Sequence, residues 1–195
     1  MVPSNMVLSI VGDVSGPAVT EQLKRTFGRL PPTASPWPAR LPEEPLTDVR
    51  EAARTLPKAQ ALIVMGFRGS TRIAPDRYAV DVMTSIFSGM AGRLFQAVRE
   101  EHGLSYTLGA AHAPGWDPGY LLIYAATKPE EETRVLELLE EQLRLAVEQG
   151  FTEEEVEQAK RYLIGQHRMD LQSVVGLARR SALDELLGVG FDAWM

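Results

Sequence analysis

The chain has 195 residues, with 45% hydrophobic and 24% charged side chains, no cysteine and a formal net charge of −6. That apolar fraction supports a globular core, and the lack of thiols excludes disulfides, thiolate zinc sites, iron–sulfur clusters and a cysteine nucleophile. A pI near 5.2 argues against nucleic acid as a partner. No apolar run approaches the ~18 residues of a membrane span, and the N-terminus as given lacks the order of a signal peptide, so a soluble chain is expected.

Asn5 to Val11 (NMVLSIV) is a continuous apolar run closed by Gly12-Asp13, which predicts a buried strand. Ser15 and Pro17 then open a helix through Val19, Leu23 and Phe27, stopped by Gly28. Leu30 to Pro45 holds six of the thirteen prolines and predicts an extended linker. Val49 to Leu56 and Ala59 to Arg68 predict two strands, the second apolar enough to be central in its sheet. A helix through Tyr78, Val82, Met83, Ile86 and Phe87 follows from Pro75 and breaks at Ser88-Gly89. Another carries Leu94, Phe95, Val98 and Arg99 to a stop at Gly103.

Ser105 to Ala113 alternates, with Tyr106, Leu108, Ala110 and His112 on one face. The turn-rich Pro114 to Gly119 joins it to Tyr120–Thr127 as an antiparallel hairpin. Pro129 begins a long helix with Val135, Leu139, Leu143 and Val147 inward, ended by Gly150. Thr152 with Glu155 forms a capping box for the next helix, through Val156, Ala159, Leu163 and Ile164, and a last helical pattern runs from Val174 to Leu187. Between Glu130 and Glu157 eleven Glu stand against Arg134 and Arg144, which reads as a solvated helical face. The element order gives an α+β fold, an antiparallel-rich sheet covered by helices, and excludes a doubly wound sheet.

Most chemistry-bearing residues lack a working constellation. His102, His112 and His167 have no zinc-binding spacing, and Val98-Arg99-Glu100-Glu101-His102 lacks the first ligand of an HxxEH helix. His167, Asp170 and Ser173 put the carboxylate in the middle, with about 9 Å of helix rise between imidazole and hydroxyl. Gly188-Val189-Gly190 lacks the third glycine of a dinucleotide loop. Arg99 and Tyr106 remain, joined by a glycine-containing turn that can aim a forked cation and a phenol at a peptide carbonyl or oxyanion. The same spacing equally suits a helix C-terminal cation and a half-buried aromatic.

Several segments together resemble the M16 zinc peptidases, the pitrilysin or insulinase-type and processing-peptidase-like family. Asn5 to Val14 (NMVLSIVGDV) is similar to the strand closing the family's first homologous half, and the proline-rich stretch to its linker. Gly89 to Tyr106 (GMAGRLFQAVREEHGLSY) resembles the signature of the second half, with Ser88-Gly89-Met90-Ala91-Gly92 replacing a run richer in glycine and serine.

The resemblance implies one half of a LuxS/MPP-like metallohydrolase fold. Residues 1–28 would be the strand-helix end of the first half, 29–47 the linker and 48–195 a second, C-terminal half truncated at its end. It implies that Arg99 and Tyr106 bind an unfolded peptide substrate in a chamber closed by an N-terminal half or a partner subunit. Zinc and the HxxEH glutamate that acts as base would lie in that other half, so this chain should hold no metal and no catalytic residue and be inactive alone. The alternative is a zinc-less partner or assembly subunit of the same fold. Because the halves are repeats, Met6 to Val11 and the helix to Phe27 are expected to fill the vacancy beside Ala61 to Met65 in the second half's sheet. They would do so in the same chain or, as a homodimer, in a neighbouring one.

Overall fold

A computed structural model describes residues 2–31 and 44–194. Residues 32–43, which carry most of the proline-rich stretch, lie outside the described residues. The chain divides into two compact units, one of Met1–Pro42 with Gly165–Met195 and one of Glu43–Ile164.

The second unit is built on a three-stranded antiparallel sheet in the order β1-β3-β2, with β1 at Ala61–Arg68, β2 at Thr107–Ala113 and β3 at Tyr120–Thr127. Leu121, Ile123, Ala125 and Thr127 alternate into one buried face of β3, as a period of two requires. Onto that face pack Phe87 at the end of α2 (Arg77–Phe87), Leu94 and Val98, and Val135, Leu138 and Leu139 of α3 (Glu132–Gln149). The register sets Leu62 beside Ala126, Val64 beside Tyr124 and Arg68 beside Tyr120 on the other face, where Leu62, Val64 and Tyr120 are exposed. This is an α+β fold with helices on one side of an antiparallel sheet.

Several sequence expectations fail, each for a physical reason. The strand expected at Val49 to Leu56 does not form, and Val49 is 89% exposed: the segment has no partner strand among the described residues and so no ladder to join. β1 is apolar enough for a central strand but lies at an edge of the three; the strand with neighbours on both sides is β3. Val147 faces outward, since the inner stripe of α3 runs through Val135, Leu138, Leu139, Leu143 and Ala146 and so passes one position before it. The acidic faces of α3 and α4 (Glu153–Asp170) do meet solvent, with exposed pairs such as Arg144 to Glu148 at 2.8 Å.

In the other unit, Gly16–Phe27 is α1 and Val174–Leu186 is α5. Residues 6–11 form no strand, and Leu8 and Ile10 are about half exposed. Among the described residues the sheet takes its three strands from residues 61–127, so the insertion of Met6 to Val11 beside Ala61 to Met65 expected within the same chain is not made. Residues 7–11 instead border a cavity of about 480 Å³ with Ser181 and Glu185 of α5, Phe191 and Trp194. The Trp194 indole N–H is shared between Ser181 Oγ at 2.9 Å and the Phe191 carbonyl at 3.0 Å.

One polar fork ties the stretch after α2 to the turn between α3 and α4. Arg93 donates to both oxygens of Glu155, at 2.5 and 2.8 Å, and to the Gly150 carbonyl at 3.0 Å. Its guanidinium also lies 4.8 Å over the Phe151 ring, which meets Phe87 edge-on at 5.8 Å. Glu155 completes the expected capping box, accepting from the Thr152 amide at 2.8 Å while the Thr152 hydroxyl accepts from the Glu155 amide at 3.2 Å. The Arg93 hydrogen bond, opposed by burial and helped by Thr152, lowers the Glu155 carboxyl to about 2.

A carboxyl lowered on folding stabilises fully above its ordinary value of 4.5 and loses that contribution as pH falls through about 2. Glu155→Gln should therefore lower stability at neutral pH by about 1–2 kcal/mol. The gap to wild type should shrink steadily between pH 4.5 and 2, as read from urea midpoints at stepped pH. Ile123, fully buried on the central strand, sets a second test: Ile123→Ala should cost about 3 kcal/mol in the same titration at neutral pH.

Candidate functional site

Arg99 lies in Phe95–Glu100, a π-helical segment in which the Glu101 amide reaches back five residues to the Gln96 carbonyl at 3.0 Å. The widened turn frees the Ala97 carbonyl for a side chain, and His102 Nδ1 donates to it at 2.7 Å. Such turns occur often at functional sites. Gly103, at φ +65°, then takes the left-handed conformation that reverses the chain, while its amide reaches the Arg99 carbonyl at 2.9 Å.

The strand expected from Ser105 begins at Thr107. Leu104 and Ser105 are pinned instead to the end of β3: Thr127 Oγ1 donates to the Leu104 carbonyl at 2.6 Å and the buried Ser105 hydroxyl to the Ala126 carbonyl at 2.8 Å. Leu108 and Ala110 face the core as the alternation requires. Tyr106, just before the ladder, leaves that face and is 80% exposed.

These two anchors bring the pair together. The Arg99 guanidinium carbon lies 4.3 Å from the centre of the Tyr106 ring and 4.6 Å from that of Phe95. Stacking uses the faces of the guanidinium and leaves its N–H groups in the plane, where carbonyl and carboxylate oxygens bind. Phe95 was not among the candidate site residues; its place four positions before Arg99 on a helix is the signal that could have found it.

A separate cavity of about 450 Å³ is lined by the end of α2, Gly89 to Gly92 and Glu155, Gln158, Ala159 and Tyr162 of α4, without Arg99 or Tyr106.

Among the described residues no group of three or more His, Cys, Asp or Glu is placed to hold a metal ion. Ser173, one member of the discarded serine, histidine and aspartate spacing, caps α5, its Oγ accepting from the Gly176 amide at 3.3 Å. A different set does come together: His112 Nδ1 lies 2.7 Å from Asp81 Oδ1, and His112 Nε2 lies 3.0 Å from Ser70 Oγ. No spacing announces it, because the three residues come from β2, α2 and the loop after β1.

The chain matches the family model described as "Peptidase M16 inactive domain" over residues 1–163. It is 29% identical to an uncharacterized zinc protease of Streptomyces coelicolor, covering 94% of this chain and 41% of that protein. It is also 29% identical to the uncharacterized zinc protease YmxG of Bacillus subtilis, covering 95% and 44%. The chain thus spans less than half the length of these relatives. In fold it is similar to the M16 inactive domain of Pseudomonas fluorescens, with TM-score 0.79, 22% identity and coverage of 94% of this chain and 43% of that one. A protease from Helicobacter pylori gives TM-score 0.73 at 19% identity, with coverage of 91% and 44%. With a family match over most of its length and a sheet-and-helix architecture shared with M16 structures, the chain belongs to the M16 peptidase family as its inactive, C-terminal domain.

Proposed function

We propose that this domain is the substrate-holding half of a zinc peptidase, in which Arg99 and Tyr106 grip an extended peptide presented to a metal centre carried by another half. Residues 1–28 would then end the first half, 29–47 link the two, and 48–195 make the second. The observation that carries the reading is the guanidinium stacked 4.3 Å from an exposed phenol ring, fixed on one side by the π turn and on the other by Ser105 and Thr127. The relatives' names, zinc protease, supply the reaction class.

The chemistry assigned to this chain is binding and charge stabilisation. The Arg99 fork takes a backbone carbonyl or carboxylate of the peptide, and the Tyr106 hydroxyl donates to oxygen that gains charge during hydrolysis. Zinc in the other half would activate water; the residues described here offer it no ligand set.

In the full-length protein Tyr106→Phe should lower kcat/KM for a quenched fluorescent peptide about tenfold or more, with an unchanged unfolding midpoint. Tyr106 is exposed enough that a purely structural role for its hydroxyl predicts wild-type turnover. Arg99→Lys should raise KM more than it lowers kcat, because an ammonium keeps the charge and loses the planar fork. A full-length protein without peptidase activity, yet binding peptide through Arg99, would mark a zinc-less partner subunit instead.

A further inference from the structure

Ser70, Asp81 and His112 belong to none of the peptide-holding chemistry above, and all three lie in the unit spanning Glu43–Ile164. Asp81 Oδ1 can only accept, so its 2.7 Å contact assigns the proton of the neutral imidazole to His112 Nδ1. That leaves the Nε2 lone pair facing Ser70 Oγ at 3.0 Å, so the hydroxyl donates to it; the Ser70 amide approaches the same nitrogen at 3.4 Å. A carboxylate that orients an imidazole, and an imidazole that receives a serine proton, is the sequence of contacts by which a hydroxyl becomes a nucleophile.

The backbone holds Ser70 in place. Its carbonyl accepts from the Gly119 amide at 3.0 Å and from the Gly115 amide at 3.4 Å. Gly69 before it donates to the Gly119 carbonyl at 2.9 Å, and a Cβ there would stand 2.8 Å from the Tyr120 backbone, so this approach requires glycine. The His112 side chain is 2% exposed and Asp81 32%, while Ser70 is 9% exposed. The buried imidazole is shielded from water on the side of Ser70, and a hydroxyl this little exposed admits only compact acyl donors.

We propose that Ser70, with His112 as base and Asp81 as its orienting carboxylate, is an acyl-accepting serine for small activated esters. In the reaction Ser70 Oγ attacks the acyl carbon, and the serine proton passes to His112 Nε2. The new Oγ–C bond forms as the ester C–O bond breaks, and the leaving oxygen departs with the bonding pair and takes the proton from His112 Nε2, as an alcohol or phenol. Water then gives a proton to the neutral His112 and its oxygen bonds to the acyl carbon; the bond from that carbon to Ser70 Oγ breaks, the proton passes from His112 to Ser70 Oγ, and the carboxylic acid leaves. The reaction needs no metal and no redox partner, and it is independent of the peptide-binding reading.

The test treats the 195-residue chain with p-nitrophenyl acetate and maps acetylation by peptide mass spectrometry. Ser70 should acetylate ahead of every other hydroxyl, with a matching release of p-nitrophenolate. His112→Gln should slow that acetylation about a hundredfold and Asp81→Asn more than tenfold, with native circular dichroism retained. If those variants fail to fold, the wild-type chain in urea serves instead: loss of selective labelling on unfolding supports the proposal. No acetyl group on Ser70 in the native chain, with p-nitrophenolate released no faster than by the chain unfolded in urea, overturns it. So does selectivity that survives in folded His112→Gln or in the unfolded chain.

Discussion

The arrangement of the larger unit depends on one guanidinium. Arg93 satisfies both oxygens of Glu155 and the carbonyl that ends α3, and covers the face of Phe151. Two distant parts of the chain thereby close on each other through a bidentate, charge-assisted pair rather than through apolar packing alone. The geometry is demanding, because a fork binding three acceptors fixes orientation as well as distance. Phe151 passes the constraint into the core through its edge-on contact with Phe87. Everything between Arg93 and Tyr106, including the π turn, starts from this fixed point and ends at a second one, the Ser105 and Thr127 bonds to the end of β3 and the chain before β2.

What the sequence made legible was local. Thr152 and Glu155 announced a helix start because a capping box needs only four residues, and both reciprocal bonds are made. Gly103 announced a reversal because a positive φ favours glycine. The Pro114 to Gly119 turn announced a hairpin, and the ladder between β2 and β3 runs to its base. What stayed illegible needed partners. Met6 to Val11 and Val49 to Leu56 have strand composition, but composition supplies no neighbouring strand. β1 reads as central for the same reason, since apolar residues on both faces say nothing of which edge is occupied.

The candidate site divides along the same line. Arg99 and Tyr106 were visible as a pair through their spacing and through family resemblance. The alternation that put Tyr106 on one face with Leu108 failed because the strand begins at Thr107, two residues after Ser105, and the segment before it obeys side-chain hydrogen bonds instead of the pleat. Phe95, the second ring against Arg99, stands four residues before it, a spacing that places both side chains on one helix face. Ser70, Asp81 and His112 meet only because the sheet and α2 are folded, which no linear spacing encodes.

The π turn beneath Arg99 has a consequence for how this surface can vary. A π turn is a helix holding one residue more than its pitch accommodates. Removing a residue between Phe95 and Arg99 would let the turn close at the ordinary α pitch. The widened turn is thus encoded by segment length as well as by residue identity. Exchanges at exposed Gln96 leave it in place, whereas a single deletion there would return the Ala97 carbonyl to the helix ladder and take it from His102.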